Sequence, residues 1–483
     1  MNILKDSVYM IFGKSIKTLG NLIFTMIISR VLLQEELGTY KQIMMISTLL
    51  FTIVPLGIPT SISYYYKNIN LKKKSELITN SNVFLLLLST IIGLVLFIFQ
   101  KQLSIIFNNQ MLSINVLGLI LFACTMILSS IIENCFVASD KSVYISKYNI
   151  YYYIVYYILA SLIIIKTKSI NLVLIFMSIA EFIRIILLNV KFYKNEDLVL
   201  KTDYKFLKEQ FIFCIPLGLA AIVQNINTEL DKMFISLKYT PVESAIYSNG
   251  SMNIPFVGLV SITVASVTLP IMVQHYKEYG FEKVVKIWNN SCIIVFIVLT
   301  SVFFGIAYYA SGYIELIFSS RYLDSLPVFM IYMIKLPLSF TVFGNILIIL
   351  GKQRATLYNM IGAVLVNCIL NYVFLNIFGL VGPAISSVLI HIILIVLQLI
   401  QISKASKMKI NKLLPYKEML ISFIMIFLLS TSIKVFSGLF NMNNIKNLFI
   451  FGGMTVIISL SLMLFINKKA IFDLMKKGDL NER

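Results

Sequence analysis

The sequence predicts an all-α integral membrane protein with about fourteen transmembrane helices. Of its 483 residues, 58% are hydrophobic and only 13% are charged, whereas soluble proteins carry about 25% charged residues. The mean hydropathy is +0.87, and apolar runs long enough to cross a bilayer recur along the chain. The predicted architecture is two parallel six-helix repeats, forming N- and C-lobes around a central cavity, followed by two extra C-terminal helices.

Each predicted span satisfies the requirement for about 20 predominantly apolar residues. The loops between them do not exceed roughly 20 residues, which leaves no room for a soluble catalytic domain on either face. The spans are placed at about 7–32, 37–66, 80–100, 111–138, 143–165, 170–190, 208–237, 242–273, 288–310, 326–350, 355–378, 380–402, 418–436 and 447–466.

The basic residues orient the predicted helices. With the N-terminus in the cytoplasm, about 27 of the 41 basic residues fall in cytoplasmic loops and tails, and about 6 fall in the opposite loops. Both termini are therefore predicted to be cytoplasmic. This asymmetry also accounts for the net charge of +19, so the charge does not indicate a nucleic-acid partner.

The two halves resemble each other in sequence. A shift of 207 residues, from Ser29 to Ser236, also aligns Glu36 with Glu243 and Tyr40 with Tyr247. The predicted domains are an N-lobe of helices one to six (1–195), a C-lobe of helices seven to twelve (196–403), and the last two helices with the tail (404–483). The longest cytoplasmic connection, residues 191–207, has mixed charge and is expected to be mobile.

Several classes of chemistry have little support in the sequence. Gly13-Lys14-Ser15 imitates the end of a P-loop, but Val8 stands where its first glycine belongs. No HExxH motif occurs, and the chain has only two histidines. The five cysteines lie in apolar runs without CxxC spacing, which is typical of small core residues. We therefore expect neither an enzyme nor a metal or other cofactor.

Charged residues within the spans are the candidate functional residues, because a cation at the bilayer centre costs roughly 2.5–3.5 kcal/mol. Span one carries a polar stripe at intervals of three and four residues, which would share one face of a helix. The candidate substrate-binding residues in the central cavity are Lys14, Lys17, Asn21, Lys41, Lys232 and Lys335. The bias towards lysine favours an anionic solute such as a pyrophosphate.

Other embedded charges have structural alternatives. Glu229 and Asp231 are candidates for ion coupling, although Glu229 can also pair with Lys232 three residues later. Glu181 and Arg184 have the same spacing, which indicates a structural pair. Glu133 is expected at the interface, and Arg30 is expected to extend its guanidinium towards the interface.

Prolines within the spans mark candidate hinges, because proline removes a helical hydrogen bond and kinks the helix. The candidates are Pro55 and Pro59 in span two and Pro337 in span ten. Ordinary transmembrane kinking is the alternative explanation.

The first 70 residues resemble a known family. The pattern SRVLxxxExGxY followed by PLGIPTSISYY is similar to the Wzx-type polysaccharide flippases of the multidrug/oligosaccharidyl-lipid/polysaccharide (MOP) exporter superfamily. The residues that carry the resemblance are Ser29, Arg30, Glu36, Gly38, Tyr40, Pro55, Gly57, Pro59 and Ser61.

This resemblance implies the transfer of an undecaprenyl-pyrophosphate-linked oligosaccharide from the inner to the outer leaflet of a bacterial cytoplasmic membrane. The resemblance also implies alternating access and coupling to H⁺ or Na⁺. It further implies a cationic central cavity that holds the pyrophosphate, and Lys14 and Lys17 match this role by position. Membrane lipids are expected partners, and a polysaccharide polymerase complex is a further candidate partner.

Two other functions remain open at this point. A MATE-like cation-coupled exporter of drugs or small molecules would share the architecture, but span one lacks an acidic residue after Asp6. A membrane polysaccharide polymerase or ligase would need a substantial outer loop, and the outer loops are short.

Overall fold

The computed structural model describes residues 3–255 and 257–468, and every regular element in these ranges is helical. The first group of helices is α1 (Ile3–Val31), α2 (Gln34–Ile53), α3 (Ile58–Tyr65), α4 (Leu71–Ile98), α5 (Gln100–Ile106), α6 (Met111–Ile114), α7 (Val116–Ser129), α8 (Ile132–Ala138), α9 (Ser142–Thr167), α10 (Ile170–Asn195), α11 (Tyr204–Lys238) and α12 (Pro241–Gly250). The second group is α13 (Val257–Tyr279), α14 (Phe281–Ala307), α15 (Ala310–Phe318), α16 (Leu326–Met333), α17 (Lys335–Leu338), α18 (Phe343–Ile349), α19 (Gln353–Phe378), α20 (Gly382–Ser406), α21 (Tyr416–Ser437), α22 (Asn444–Asn447) and α23 (Gly453–Ile466).

The helices have the length and composition of membrane spans. Among the described residues, ten helices are long and apolar enough to cross a bilayer, or eleven if the bent pair α2–α3 counts as one span. One of the ten is the 54-residue stretch Gln353–Ser406, which comprises α19 and α20. Many large apolar side chains are exposed on these helices, including Leu94 and Ile98 of α4. The prediction of an all-α, multi-pass membrane protein is confirmed, whereas the number fourteen stays a prediction.

The chain divides into two compact units, Met1–Ser248 and Asn249–Arg483. The first unit therefore contains α11 and most of α12 in addition to α1–α10. This division differs from that of the predicted lobes, which follow the sequence repeat, and the lobes stay a prediction.

In the first unit, α1 lies along α9. The contact face of α1 includes Gly13 and Gly20. A Cβ atom on Gly13 would lie 3.3 Å from the carbonyl oxygen of Ser146, and one on Gly20 would lie 2.3 Å from the ring of Tyr157. Gly20 therefore lets α1 approach the aromatic face of α9 more closely than any larger residue would allow.

Span two is broken rather than smoothly curved. Helices α2 and α3 meet at an angle of 43°, with Pro55 in the break and Pro59 in the first turn of α3. Leu56 and Gly57 have positive φ angles of 46° and 81°. The break packs backbone to backbone on α11, because a Cβ on Gly57 would lie 2.7 Å from the carbonyl oxygen of Cys214.

The connection before α11 is hydrogen-bonded to the start of α4. We call residues 196–203 the strap. The backbone N–H of Val199 donates to Ser75 Oγ (3.1 Å), and that of Asp203 donates to Asn80 Oδ1 (3.1 Å). Asn80 Nδ2 donates in return to the Asp203 carbonyl (2.9 Å). A composition rich in charge indicated mobility, but polar side chains on α4 satisfy the strap's backbone.

In the second unit, α14 packs against α13, α21 and α23. Its Trp288 is 2% exposed and donates from Nε1 to Thr341 Oγ1 (2.8 Å). Helices α19 and α20 are joined by a reciprocal pair of amide hydrogen bonds between Asn359 and Gln401, both 2.8 Å. Buried amides of this kind hold transmembrane helices together.

Candidate functional site

The polar stripe of α1 lies largely on an exposed face. Lys14, Lys17 and Asn21 are all exposed, whereas Thr25 is buried. The Thr25 hydroxyl donates to the Asn21 carbonyl (2.8 Å), so it is satisfied within its own helix. Three of the four predicted stripe residues therefore present their polar groups together, and two of these groups are cations.

Lys17 also contacts the neighbouring helix α9. Its Nζ lies 4.9 Å from the ring centroid of Tyr153, and that ring is buried. An ammonium group at this distance is attracted by the π electrons of the ring. Lys17 is therefore both exposed and held on one side.

A buried ion cluster lies behind Tyr153. Arg184, which is 2% exposed, donates from Nη1 to Glu181 (2.6 Å) and from Nη2 to Glu133 (2.8 Å). Nη2 also donates to Asn149 Oδ1 (3.1 Å). We call Arg184, Glu181, Glu133 and Asn149 the Arg184 cluster. It draws on three helices, α8, α9 and α10, and joins one cation to two carboxylates.

The sequence analysis identified only part of this cluster. The spacing of three residues indicated the pair of Glu181 and Arg184, and the structure contains it. Glu133 was assigned to the interface, yet its carboxylate accepts from Arg184 across 51 residues of sequence. The charged Glu133 within span four was the available signal in the sequence. A single sequence does not show which neighbouring helix its side chain contacts.

Helices α2 and α11 bring a second set of predicted residues together. Lys232 Nζ lies 3.0 Å from Glu229 Oε2 and 3.1 Å from its Oε1, as their spacing indicated. Lys41 lies on α2, which packs against α11. Asp231 is buried at 1% exposure. These four side chains combine two cations with two carboxylates on packed helices.

Lys335 belongs to the other unit. It begins the short helix α17, its Nζ lies 5.0 Å from the centroid of Tyr332, and Ser339 Oγ donates to its carbonyl (2.8 Å). Pro337 lies within α17, and the chain is non-helical between Ser339 and the start of α18. Span ten is thus broken near the predicted hinge. The roles of Pro55, Pro59 and Pro337 as hinges stay predictions.

The segment before α2 and the one before α12 have the same local geometry. Glu36 accepts a hydrogen bond from the Leu33 N–H (2.8 Å), and Glu243 accepts one from the Thr240 N–H (2.9 Å). Each carboxylate therefore caps a helix by bonding the backbone three residues earlier. These are the two glutamates that the 207-residue shift aligns.

The same two segments touch each other in the first unit. A Cβ on Gly38 would lie 1.8 Å from the carbonyl oxygen of Pro241. Beside this contact, Gln42 Nε2 donates to Ser244 Oγ (3.3 Å) and Asn109 Nδ2 donates to Gln42 Oε1 (2.7 Å). The sequence analysis missed these amides, which link α2 to α12 and to the loop before α6.

Within the described ranges, no three His, Cys, Asp or Glu side chains are grouped so that they could hold a metal ion. Among the side chains of α1 that the structure describes, the exposed ones include more cations than carboxylates. Electrostatically, this face suits an anion rather than a metal.

The fold is similar to that of several solved membrane proteins. The lipid II flippase MurJ in an inward closed conformation matches with a TM-score of 0.74 and 15% identity, over 95% of this chain and 99% of that one. The MATE transporter VcmN of Vibrio cholerae matches with a TM-score of 0.57 and 17% identity, over 83% and 95%. A MOP superfamily transporter from Pyrococcus furiosus matches with a TM-score of 0.56 and 14% identity, over 83% and 96%.

These likenesses show that the chain has the fold of these membrane flippases and transporters. A search of curated protein sequences finds no match. A model of the family described as polysaccharide biosynthesis protein matches residues 3–276. Since this match covers more than half of the sequence, the chain belongs to the polysaccharide biosynthesis protein family.

Proposed function

We propose that the protein is a flippase that moves a polyprenyl-pyrophosphate-linked oligosaccharide from the inner to the outer leaflet of a bacterial cytoplasmic membrane. It works by alternating access, is coupled to H⁺ or Na⁺, and has both termini in the cytoplasm. The observation that carries the proposal is the exposed stripe of Lys14, Lys17 and Asn21 on α1.

The stripe has the chemistry of a diphosphate site. Residues three apart on a helix have Cβ atoms about 5–6 Å apart, so the ammonium groups of Lys14 and Lys17 reach neighbouring phosphates. Lysine binds phosphate as a point charge, and Asn21 adds two amide donors. Two cations on a membrane helix are costly unless an anion or water solvates them. This cost favours a stripe that faces water and an anion rather than lipid.

Coupling is assigned to the α2–α11 set. Glu229 is paired with Lys232, whereas Asp231 is buried on the same helix. Binding of H⁺ or Na⁺ to one of these carboxylates changes the charge balance beside Lys41 and Lys232. In this scheme the ion binds on α2 and α11, whereas the anionic head group binds on α1.

The proposal predicts that Lys14→Ala combined with Lys17→Ala abolishes surface polysaccharide while the amount of protein in the membrane stays unchanged. Each hydrogen bond to a charged group contributes about 1.5–3 kcal/mol, so losing both cations weakens head-group binding by about 100-fold or more. The measurement is surface polysaccharide in a deletion strain that expresses each variant.

The matched control removes two exposed lysines of the same unit that lie off the stripe, Lys101→Ala with Lys166→Ala. It should leave polysaccharide at the wild-type level. Normal polysaccharide in the Lys14/Lys17 variant would refute the assignment of the stripe as the head-group site.

A MATE-like exporter of drugs or small molecules is the second candidate, favoured by the fold likeness to MATE transporters. It predicts that deletion of the protein sensitises cells to cationic drugs and leaves polysaccharide intact. Drug-resistance profiling of the deletion strain therefore separates the two functions.

A further inference from the structure

We propose that Tyr153 is a positioning residue for Lys17: its buried ring holds the Lys17 ammonium group in place to receive an anionic phosphate head group. The inference rests on the proposed function, because it gives Lys17 the same role, and it adds a residue that itself touches no substrate.

The geometry places one ring beside two cations. The centroid of Tyr153 lies 4.9 Å from Lys17 Nζ and 5.5 Å from Arg184 Cζ. Both distances are within the range of about 6 Å at which a cation is attracted to an aromatic ring. Lys17 is exposed, whereas Tyr153 is 4% exposed, so the ring reaches only the inner side of the lysine.

The ring itself is fixed by its surroundings. Arg184 is tied to Glu181 and Glu133 by charged hydrogen bonds, and its Cζ lies 5.2 Å from the neighbouring ring of Tyr152. Tyr152 in turn donates to Glu181 (2.9 Å). The Arg184 cluster therefore contacts the aromatic face of α9 through both Tyr152 and Tyr153.

Helix α1 is held against this ring at a set distance. Gly13, Lys17 and Gly20 follow each other at intervals of four and three, so they share one face of α1. The two glycines pack on Ser146 and Tyr157 of α9, which leaves Lys17 between them above Tyr153. Close helix packing and the cation–π contact thus act on the same lysine.

Lys14 provides an internal comparison. It is also exposed on the stripe, but in the described part of the chain no aromatic ring lies beneath its ammonium group. Ordering a long lysine side chain opposes binding, and a side chain that is already ordered avoids part of that cost. Loss of the ring should therefore weaken binding through Lys17 by about 3- to 10-fold.

The test measures binding of undecaprenyl pyrophosphate to the purified full chain in detergent, with undecaprenyl phosphate as the second probe. Tyr153→Leu should weaken diphosphate binding by about 3- to 10-fold, whereas Tyr153→Phe, which keeps the ring, should bind within about 2-fold of wild type. The control is Tyr151→Leu on the same helix, at a side chain that is 73% exposed. Tyr153→Met replaces Tyr153→Leu if the latter is not recovered from membranes.

The decisive comparison is a double-mutant cycle with Lys17→Ala. If Tyr153 acts through Lys17, then Tyr153→Leu causes no further loss in the Lys17→Ala background. Full additivity, or unchanged binding by Tyr153→Leu alone, would overturn the positioning role and leave the proposed function standing. If Lys17→Ala itself leaves binding unchanged, the head-group assignment fails, and the positioning role fails with it.

Discussion

Arg184 is a fully buried guanidinium whose neighbours decide whether it stabilises the protein. It donates to two carboxylates and an amide, while its Nε has no partner among the described residues. Removing one partner of a buried ion pair costs about 3–5 kcal/mol, because an uncompensated charge remains, whereas removing the whole network is often close to neutral. The cluster therefore acts as a unit.

We predict that Arg184→Ala lowers the free energy of unfolding by about 3–5 kcal/mol. The Glu181 carboxylate, whose side chain is 14% exposed, would then remain without its cation, whereas the Glu133 side chain is more open at 41%. The measurement is thermal unfolding of the purified protein in detergent. Arg184→Met combined with Glu133→Gln and Glu181→Gln should be markedly more stable than Arg184→Ala. Equal stability of the two variants would contradict the charge argument.

For individual residues, the sequence predicts ion pairs within a helix and misses side-chain contacts between helices. Glu229–Lys232 and Glu181–Arg184 follow from a spacing of three residues, since that spacing fixes their neighbourhood. The contact of Arg184 with Glu133 depends on how α10 packs against α8. The contact of Lys17 with Tyr153 likewise depends on how α1 packs against α9. Helix rotation of this kind is set by tertiary packing, which a single sequence does not specify.

Among the elements, the contacts of α2 with its neighbours depend on two glycines. Gly38 lies against the backbone of Pro241, and Gly57 combines a positive φ with a backbone contact on Cys214. Backbone atoms do not move aside as a flexible side chain does. A larger residue at either position therefore forces the facing backbone to shift.

We predict that Gly38→Ala destabilises the protein by about 1–3 kcal/mol, the usual effect of overpacking. The new Cβ would lie 1.8 Å from the Pro241 carbonyl oxygen, so the segment before α12 must shift. Unfolding in detergent measures the change. The control is Gly362→Ala in α19, where nothing lies within 4 Å of the new Cβ; alanine there should be neutral or slightly stabilising. Similar results for both variants would show that the Gly38 contact relaxes freely.

The breaks in the helices were predictable where proline marks them. Pro55 and Pro59 indicated the bend between α2 and α3, and Pro337 indicated the interruption of span ten, because proline removes a backbone donor. Pro216 and Pro270, in contrast, lie inside the continuous helices α11 and α13. Proline therefore marks a site that can bend, and the packing decides whether it does.

At the scale of the whole molecule, composition was sufficient to predict an all-α membrane protein. Among the described residues, length and apolarity single out ten or eleven helices. Helices α1 and α11 have 29 and 35 residues. These two helices carry Lys14, Lys17, Glu229, Asp231 and Lys232. The residues proposed to bind the head group and the coupling ion thus lie on the two longest helices of the described part of the chain.

The orientation is open to a direct test. In a variant without native cysteines, we expect Lys166→Cys at the end of α9 to react with a membrane-impermeant maleimide added to intact cells. Lys404→Cys at the end of α20 should react only after lysis, because the charge asymmetry assigns it to the cytoplasm. Both lysines are exposed. Labelling of Lys404→Cys alone in intact cells would reverse the predicted topology.

The strap has a mechanical consequence for the first unit. Asp203 caps α11 by accepting from the Lys205 N–H (2.9 Å), while its own backbone is fastened to Asn80 of α4. The starts of α4 and α11 are therefore connected through the hydrogen bonds of a single residue, Asp203. A displacement of the start of α11 would therefore also displace the start of α4, because Asp203 is hydrogen-bonded to both helices.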